Sequence, residues 1–149
     1  MEQISSQILV VDDDENDFFF IERAFKQNRI SNPLFHARNG EVAVEYLKGQ
    51  GEYIDRQKYP LPFLMLLDIN MPRMNGFEVI QWVRKSPGIK RIPIVVFTSS
   101  KESPDIDKAY ELGANTYLVK PIESDNLIEM VNTLNLYWQI LAERPSLQS

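Results

Sequence analysis

The sequence predicts an α/β chain built on an open, doubly wound sheet of five parallel strands. Two observations carry that class. Short apolar runs alternate with longer segments of helical period five times along the 149 residues. Runs such as 63–67 (FLMLL) and 94–97 (IVVF) are apolar without alternation, the pattern of strands covered on both faces.

Each element has its own reason. The first strand is read at 7–11 and runs straight into Asp12-Asp13-Asp14; a helix over 15–28 then places Ile21, Ala24 and Phe25 on one face with Phe20. A second strand at 34–37 leads into a helix over 40–48, which Gly49 and Gly51 close. The connection 49–62 is long for a compact α/β unit, so it is either a decorated or a functional loop. The third strand, 63–67, ends in Asp68, and Pro72 and Asn75-Gly76 bracket a loop before a helix over 76–85. Trp82 on that helix reads as core and rim with Phe77, Ile80 and Val83. Strand four, 92–97, delivers Thr98-Ser99, and a helix over 104–112 ends at Gly113, where a left-handed cap belongs. Strand five, 115–119, delivers Lys120-Pro121 ahead of a long helix over 124–142. Only 143–149 follow, so one domain over 1–142 with a short tail and no output domain is expected.

Composition excludes several classes. Apolar residues at 44% and charged residues at 25% fit a globular domain. A net charge of −5 argues against nucleic acid or an anionic membrane as the main partner. There is no cysteine, hence no disulfide or thiolate metal site. No apolar run approaches the ~20 residues of a membrane span, and the N-terminus lacks a signal-peptide pattern, so a cytoplasmic location is expected.

In open α/β sheets, reactive groups collect beyond the carboxyl ends of the strands. Asp12, Asp13, Asp68, Thr98 and Lys120 should therefore converge, whereas Arg38-Asn39 after strand two should lie off the site. Carboxylates this close cannot all stay ionised without compensation, and Mg²⁺ is the natural partner. Thr98 can donate to a phosphoryl oxygen and Lys120 can neutralise another. Asp13 and Asp68 as metal ligands then make a coherent phosphoryl-transfer site. With cysteine absent and the lone His36 placed in an apolar strand, where a structural role fits it, Asp68 is the expected covalent acceptor. In isolation, the opening acids would read as a turn and helix cap, with Asp14 in the loop and Asp17 complementing the helix dipole. The matched Asp68, Thr98 and Lys120 overturn that reading for Asp12 and Asp13.

The motifs Val10-Val11-Asp12-Asp13, Leu66-Leu67-Asp68-Ile69-Asn70-Met71-Pro72 with Asn75-Gly76, Phe97-Thr98-Ser99, Gly113-Ala114 and Tyr117-Leu118-Val119-Lys120-Pro121 together resemble the receiver domain of two-component response regulators. The likeness spans 7–142. It implies a flavodoxin-like (βα)5 fold and phosphorylation of Asp68 by a histidine kinase. It also implies Mg²⁺ organised by Asp12 and Asp13, with Asp13, Asp68 and the Asn70 backbone carbonyl as direct ligands, Thr98 and Lys120 on the phosphoryl oxygens, and Ser99 leaving the site open to the donor. Tyr117 takes the switch-aromatic position, and the Lys120–Pro121 bond is expected cis. On the first helix, Glu15, Phe18, Phe19 and Glu22 would face the kinase. Asn70 and Ser100 would flank the route of a hydrolytic water.

Such a chain is a phosphoacceptor that assists its own chemistry rather than an enzyme. The long connection 49–62 and the Leu-Tyr-Trp-rich last helix resemble the small regulators paired with bacterial phytochromes. In the last helix, Leu127, Val131, Leu134, Trp138 and Leu141 form a packing stripe. That helix, roughly 28 Å long, overshoots a five-residue strand, so Tyr137 to Leu141 could bury against a second copy in a homodimer. The competing enzyme reading is a Mg²⁺ phosphatase of the haloacid dehalogenase type, with Asp12-x-Asp14 as its first motif. It leaves Asp68 idle, lacks an acidic pair after Lys120 and normally needs a longer chain. A calcium loop at 12–20 lacks the required glycine and terminal glutamate.

Overall fold

The structure, a computed structural model, describes residues 6–140, with side chains through residue 133. The expected overhang from Tyr137 to Leu141, the dimer built on it, the outer part of the stripe (Leu134, Trp138, Leu141) and the tail 143–149 lie outside the described side chains.

Five parallel strands form one sheet: β1 (Ile8–Val11), β2 (Leu34–Ala37), β3 (Leu64–Leu67), β4 (Ile94–Thr98) and β5 (Thr116–Val119), in the order β2-β1-β3-β4-β5. The helices between and after them are α1 (Glu15–Gln27), α2 (Gly40–Lys48), α3 (Gly76–Arg84), α4 (Ser103–Leu112) and α5 (Ser124–Ile140). The expected class and all ten main elements are found. β2 and α2 have the expected bounds, and the ends of the other elements differ by at most two residues where they are described, with caps setting the helix ends. Asp14 caps α1 by accepting the Asn16 N–H, Asn75 and Glu78 close a capping box on α3, and Gly113 at φ 118° ends α4.

Strand side chains alternate between two cores. Leu9, Val11, Met65, Leu67, Ile94 and Val96 face α2, α3 and α4, where Tyr46, Val79, Ile80 and Ala109 meet them. Ile8, Val10, Leu64, Leu66, Val95 and Phe97 face α1 and α5, against Ile21, Phe25, Leu127 and Val131. Burying each such side chain contributes roughly 1.5–3 kcal/mol. Because both faces are covered, the central strands must read as continuous apolar runs, as they do.

The connection between α2 and β3 is a folded segment. Its 3-10 turn (Gly51–Tyr53) carries Tyr53 into a cluster with Phe35, Tyr46 and Tyr59. The Arg56 guanidinium donates to the Tyr46 and Leu47 carbonyls in the last turn of α2 and to the Tyr59 carbonyl within the connection. Tyr46 sits at the centre, accepting from Gln7 Nε2 at 2.6 Å and donating to the Pro60 carbonyl at 2.7 Å.

Candidate functional site

Strand order assembles the site. β1 lies between β2 and β3, and the register pairs Val11 with Leu67. Asp12 and Asp68, the next residues, therefore lie side by side where the strand order reverses, the usual ligand position in such sheets. β4 and β5 bring Thr98 and Lys120 to the same edge, with the Lys120 N–H donating to the Thr98 carbonyl at 2.7 Å. Gly76 is required here, since a Cβ on it would collide with the Asp68 carbonyl oxygen.

Carboxylate oxygens of Asp12, Asp13 and Asp68 lie within 4.8 Å of one another. Asp12 and Asp68 are buried and Asp13 is exposed. Asp12 is fully engaged: Oδ1 accepts the Asp14 N–H and Oδ2 accepts Lys120 Nζ at 2.6 Å. Burial pushes the Asp12 carboxyl above its ordinary range, with the Lys120 and Asp14 hydrogen bonds opposing that and the Asp68 charge adding to it. Burial alone would pull Lys120 down. Its hydrogen bonds to Asp12 and Asp17, with the charges of Asp68 and Asp12, outweigh that and hold it above its ordinary value. An ammonium among acids stays charged. Asp68 Oδ1 accepts the Asn70 N–H at 3.2 Å, while Oδ2 lies 3.7 Å from Lys120 Nζ. Thr98 is fully buried, and its Oγ1 is the one buried side-chain polar atom without a hydrogen-bond partner among the described residues. A cleft of about 820 Å³ opens beside them, lined by Asp13, Asp17, Asp68, Asn70, Ser99 and Lys120.

The donor set suits a hard divalent cation. It is all oxygen, it carries an uncompensated excess of negative charge, and an orphaned hydroxyl waits at the neighbouring strand end.

The family model of the response regulator receiver domain matches residues 8–132. The chain belongs to that family. Response regulator Rcp1 of Synechocystis sp. is 37% identical over 131 residues, covering 88% of this chain and 87% of that protein. Among solved structures, the phosphorylated cyanobacterial phytochrome response regulator RcpA superposes with a TM-score of 0.78 at 32% identity, covering 95% of this chain and 99% of that one. The Mn²⁺-bound form of Rcp1 superposes at 0.75 and 35% identity, covering 95% and 99%. Membership speaks against the phosphatase alternative, as does Asp14, whose carboxylate is taken up in capping α1.

The other expected receiver residues are placed as follows. The Lys120–Pro121 bond is cis. Tyr117 is half-buried, its hydroxyl donating to the Ser100 carbonyl at 2.9 Å, and burial pushes its phenol up. The Ser100 hydroxyl donates to Asp105, so this residue is tied into the loop after β4, whereas Asn70 faces the cleft. The docking candidates separate. Glu15 pairs with Arg38 at the cleft rim, and Phe18 stacks on His36 at 4.4 Å. Phe19, 56% exposed, and Glu22 line a groove along α1 with Arg23 and Lys26. His36 has the structural role expected, with Nε2 2.7 Å from the Asp12 carbonyl.

Sequence reasoning missed Asp17. Its Oδ2 lies 2.6 Å from Lys120 Nζ, inside the site. The sequence carries a partial signal: side chains in the first helical turn lean back over the N-terminus, here toward the strand ends, a position shared by acids that merely complement the helix dipole.

Proposed function

We propose that this chain is a phosphoacceptor of a two-component relay, carrying phosphate on Asp68 with Mg²⁺ bound. The observation that supports it best is the convergence of Asp68, two further carboxylates and Lys120 at one edge of the sheet, with the unpartnered Thr98 hydroxyl at the end of the neighbouring strand. An Asp68 oxygen attacks the phosphorus of a kinase phosphohistidine. The O–P bond forms, the P–N bond breaks, and the electron pair leaves with the imidazole, which takes a proton from solvent. Asp13 and Asp68, with the Asn70 carbonyl, would hold Mg²⁺, with Asp12 beside them adding negative charge; the ion would supply charge neutralisation for the phosphoryl oxygens. Thr98 Oγ1 donates one hydrogen bond to the phosphoryl group, and Lys120 neutralises a second oxygen.

The chain assists this transfer without turning over a substrate of its own. Its output is a surface around Thr98, Tyr117 and α5 that changes on phosphorylation, with pairing of two copies through α5. The phytochrome response regulators among its relatives favour a phytochrome-type kinase in the cytoplasm of a bacterium. Phe19 and Glu22 offer that kinase a docking groove on α1, with Glu15 and Phe18 at its flank.

Intact-mass measurement after incubation with a small acyl phosphate and Mg²⁺ tests the mechanism. One phosphoryl group should be gained, and lost with EDTA or in Asp68→Asn. No adduct in the wild type would overturn it.

A further inference from the structure

The Lys120 ammonium has three donors, and in this structure two of them are committed. Nζ lies 2.6 Å from Asp12 Oδ2 and 2.6 Å from Asp17 Oδ2, but 3.7 Å from Asp68 Oδ2. The two close partners differ. Asp12 is buried at the end of β1 and locked by the Asp14 N–H, whereas the Asp17 side chain is one-third exposed on the first turn of α1. An acid at that helical position ordinarily serves the helix N-terminus. Here its carboxylate instead spans to the loop after β5 and meets a half-buried cation. Below the ammonium lies the Phe97 ring, its centroid 5.5 Å from Nζ, which offers no competing anion. The contest for Lys120 is thus between Asp17 on the solvent side and whatever occupies Asp68.

We propose that Asp17 is a positioning residue that holds the Lys120 ammonium off the acceptor, so that a phosphoryl group on Asp68 must take it from a carboxylate on α1. The inference rests on the phosphoacceptor reading above and deepens it. A restraint of this kind weakens the phosphorylated state relative to the resting one, because forming the new ion pair requires breaking an old one. It also places the restraint on the helix that carries the Phe19 groove, so a partner seated there acts on the same element.

Beryllium trifluoride, a phosphoryl mimic, tests the proposal when titrated with Mg²⁺ into the full chain by calorimetry. Asp17→Asn removes the charge and keeps the shape. It should bind the mimic about tenfold more tightly than the wild type, the scale of one charge-assisted hydrogen bond. Loss of a nearby negative charge would also favour an anion without involving Lys120, so the same substitution is made in Lys120→Gln. The gain should vanish in that background, and Asp17→Glu with Lys120 present, which keeps the carboxylate, should bind the mimic with wild-type affinity. Thermal melts confirm folding, and Asp17→Ser replaces Asp17→Asn if the latter does not fold. Equal gains with and without Lys120, or no gain at all, overturn the role of Asp17 while leaving the acceptor reading intact. A wild type that neither binds the mimic nor gains a phosphoryl mass overturns both.

Discussion

Thr98→Val should raise the stability of the resting protein while impairing the phosphorylated one. Thr98 is fully buried at the end of β4, and its hydroxyl meets no hydrogen-bond partner among the described residues. Burying an unsatisfied hydroxyl costs about 1–3 kcal/mol. Valine has nearly the same shape, so the substitution removes that penalty and replaces the hydroxyl with a methyl group at a fully buried position, worth up to ~0.8 kcal/mol more. Cavity and strain terms should be small because no volume is lost. A net gain of about 1–2 kcal/mol is expected, which at this chain length raises Tm by roughly 3–8 °C. Urea denaturation without divalent cation should show a higher midpoint at an unchanged m-value. Phosphorylation reverses the sign, because the hydroxyl then has a phosphoryl oxygen to donate to and valine does not. The phosphorylated variant should therefore lose more stabilisation than the resting variant gains, and its phosphoryl uptake should fall. A Thr98→Val protein less stable than the wild type by 1 kcal/mol or more would show that the hydroxyl is already satisfied at rest, and the reasoning would fail.

Three further outcomes follow from the packing. Burial, opposed by the Gln7 hydrogen bond, holds the Tyr46 phenol up to about 12, against about 10 in the unfolded chain. Its contribution to stability is complete below the lower value and then declines by about 1.4 kcal/mol per pH unit until the higher one, because only the unfolded chain has released the proton. Tyr46→Phe should be less stable at neutral pH and should flatten this alkaline decline; parallel pH–stability curves for the two proteins would count against it. Arg84 donates to the carbonyls of Lys90, Ile92 and Gly113 and to Asn115 Oδ1, tying α3 to the starts of β4 and β5 and the end of α4. Arg84→Met should cost about 3 kcal/mol by urea titration, and a change under ~0.5 kcal/mol would refute the clamp. Gly76→Ala must displace the Asp68 carbonyl or α3, at a cost of about 1–3 kcal/mol, with slower uptake of phosphate from an acyl phosphate; unchanged melting would contradict the close approach.

The fold was legible because both sheet faces are covered: 63–67 and 94–97 had to be apolar throughout, and the turn residues between them mark every boundary that matters. The acidic cluster was legible because strand ends in such a sheet share one edge, so order along the chain maps onto neighbours in space. What sequence could not convey is competition. Nothing about Asp17 as a first-turn acid says whether it serves the helix dipole or reaches Lys120, since both readings need the same residue at the same position. The connection 49–62 was marked by its length alone; that Arg56 would fold it back over α2 depends on three carbonyls which only the three-dimensional path brings together. Phe18 and Phe19 are adjacent and chemically identical, yet one stacks on His36 and the other faces outward. Their division depends on where β2 lies beside α1.

The outer edge of the sheet carries a consequence for assembly. Among the described residues β5 pairs only with β4, which leaves its other side open to the addition of a further strand. Midway along it, however, the Tyr117 backbone N–H is already taken by the Tyr110 phenol, at 3.1 Å, reaching across from α4. A strand arriving from another molecule would find that donor occupied and a ring standing in its path. Edge-to-edge polymerisation through β5 is thereby discouraged. A partner that binds there must recognise side chains rather than extend the sheet.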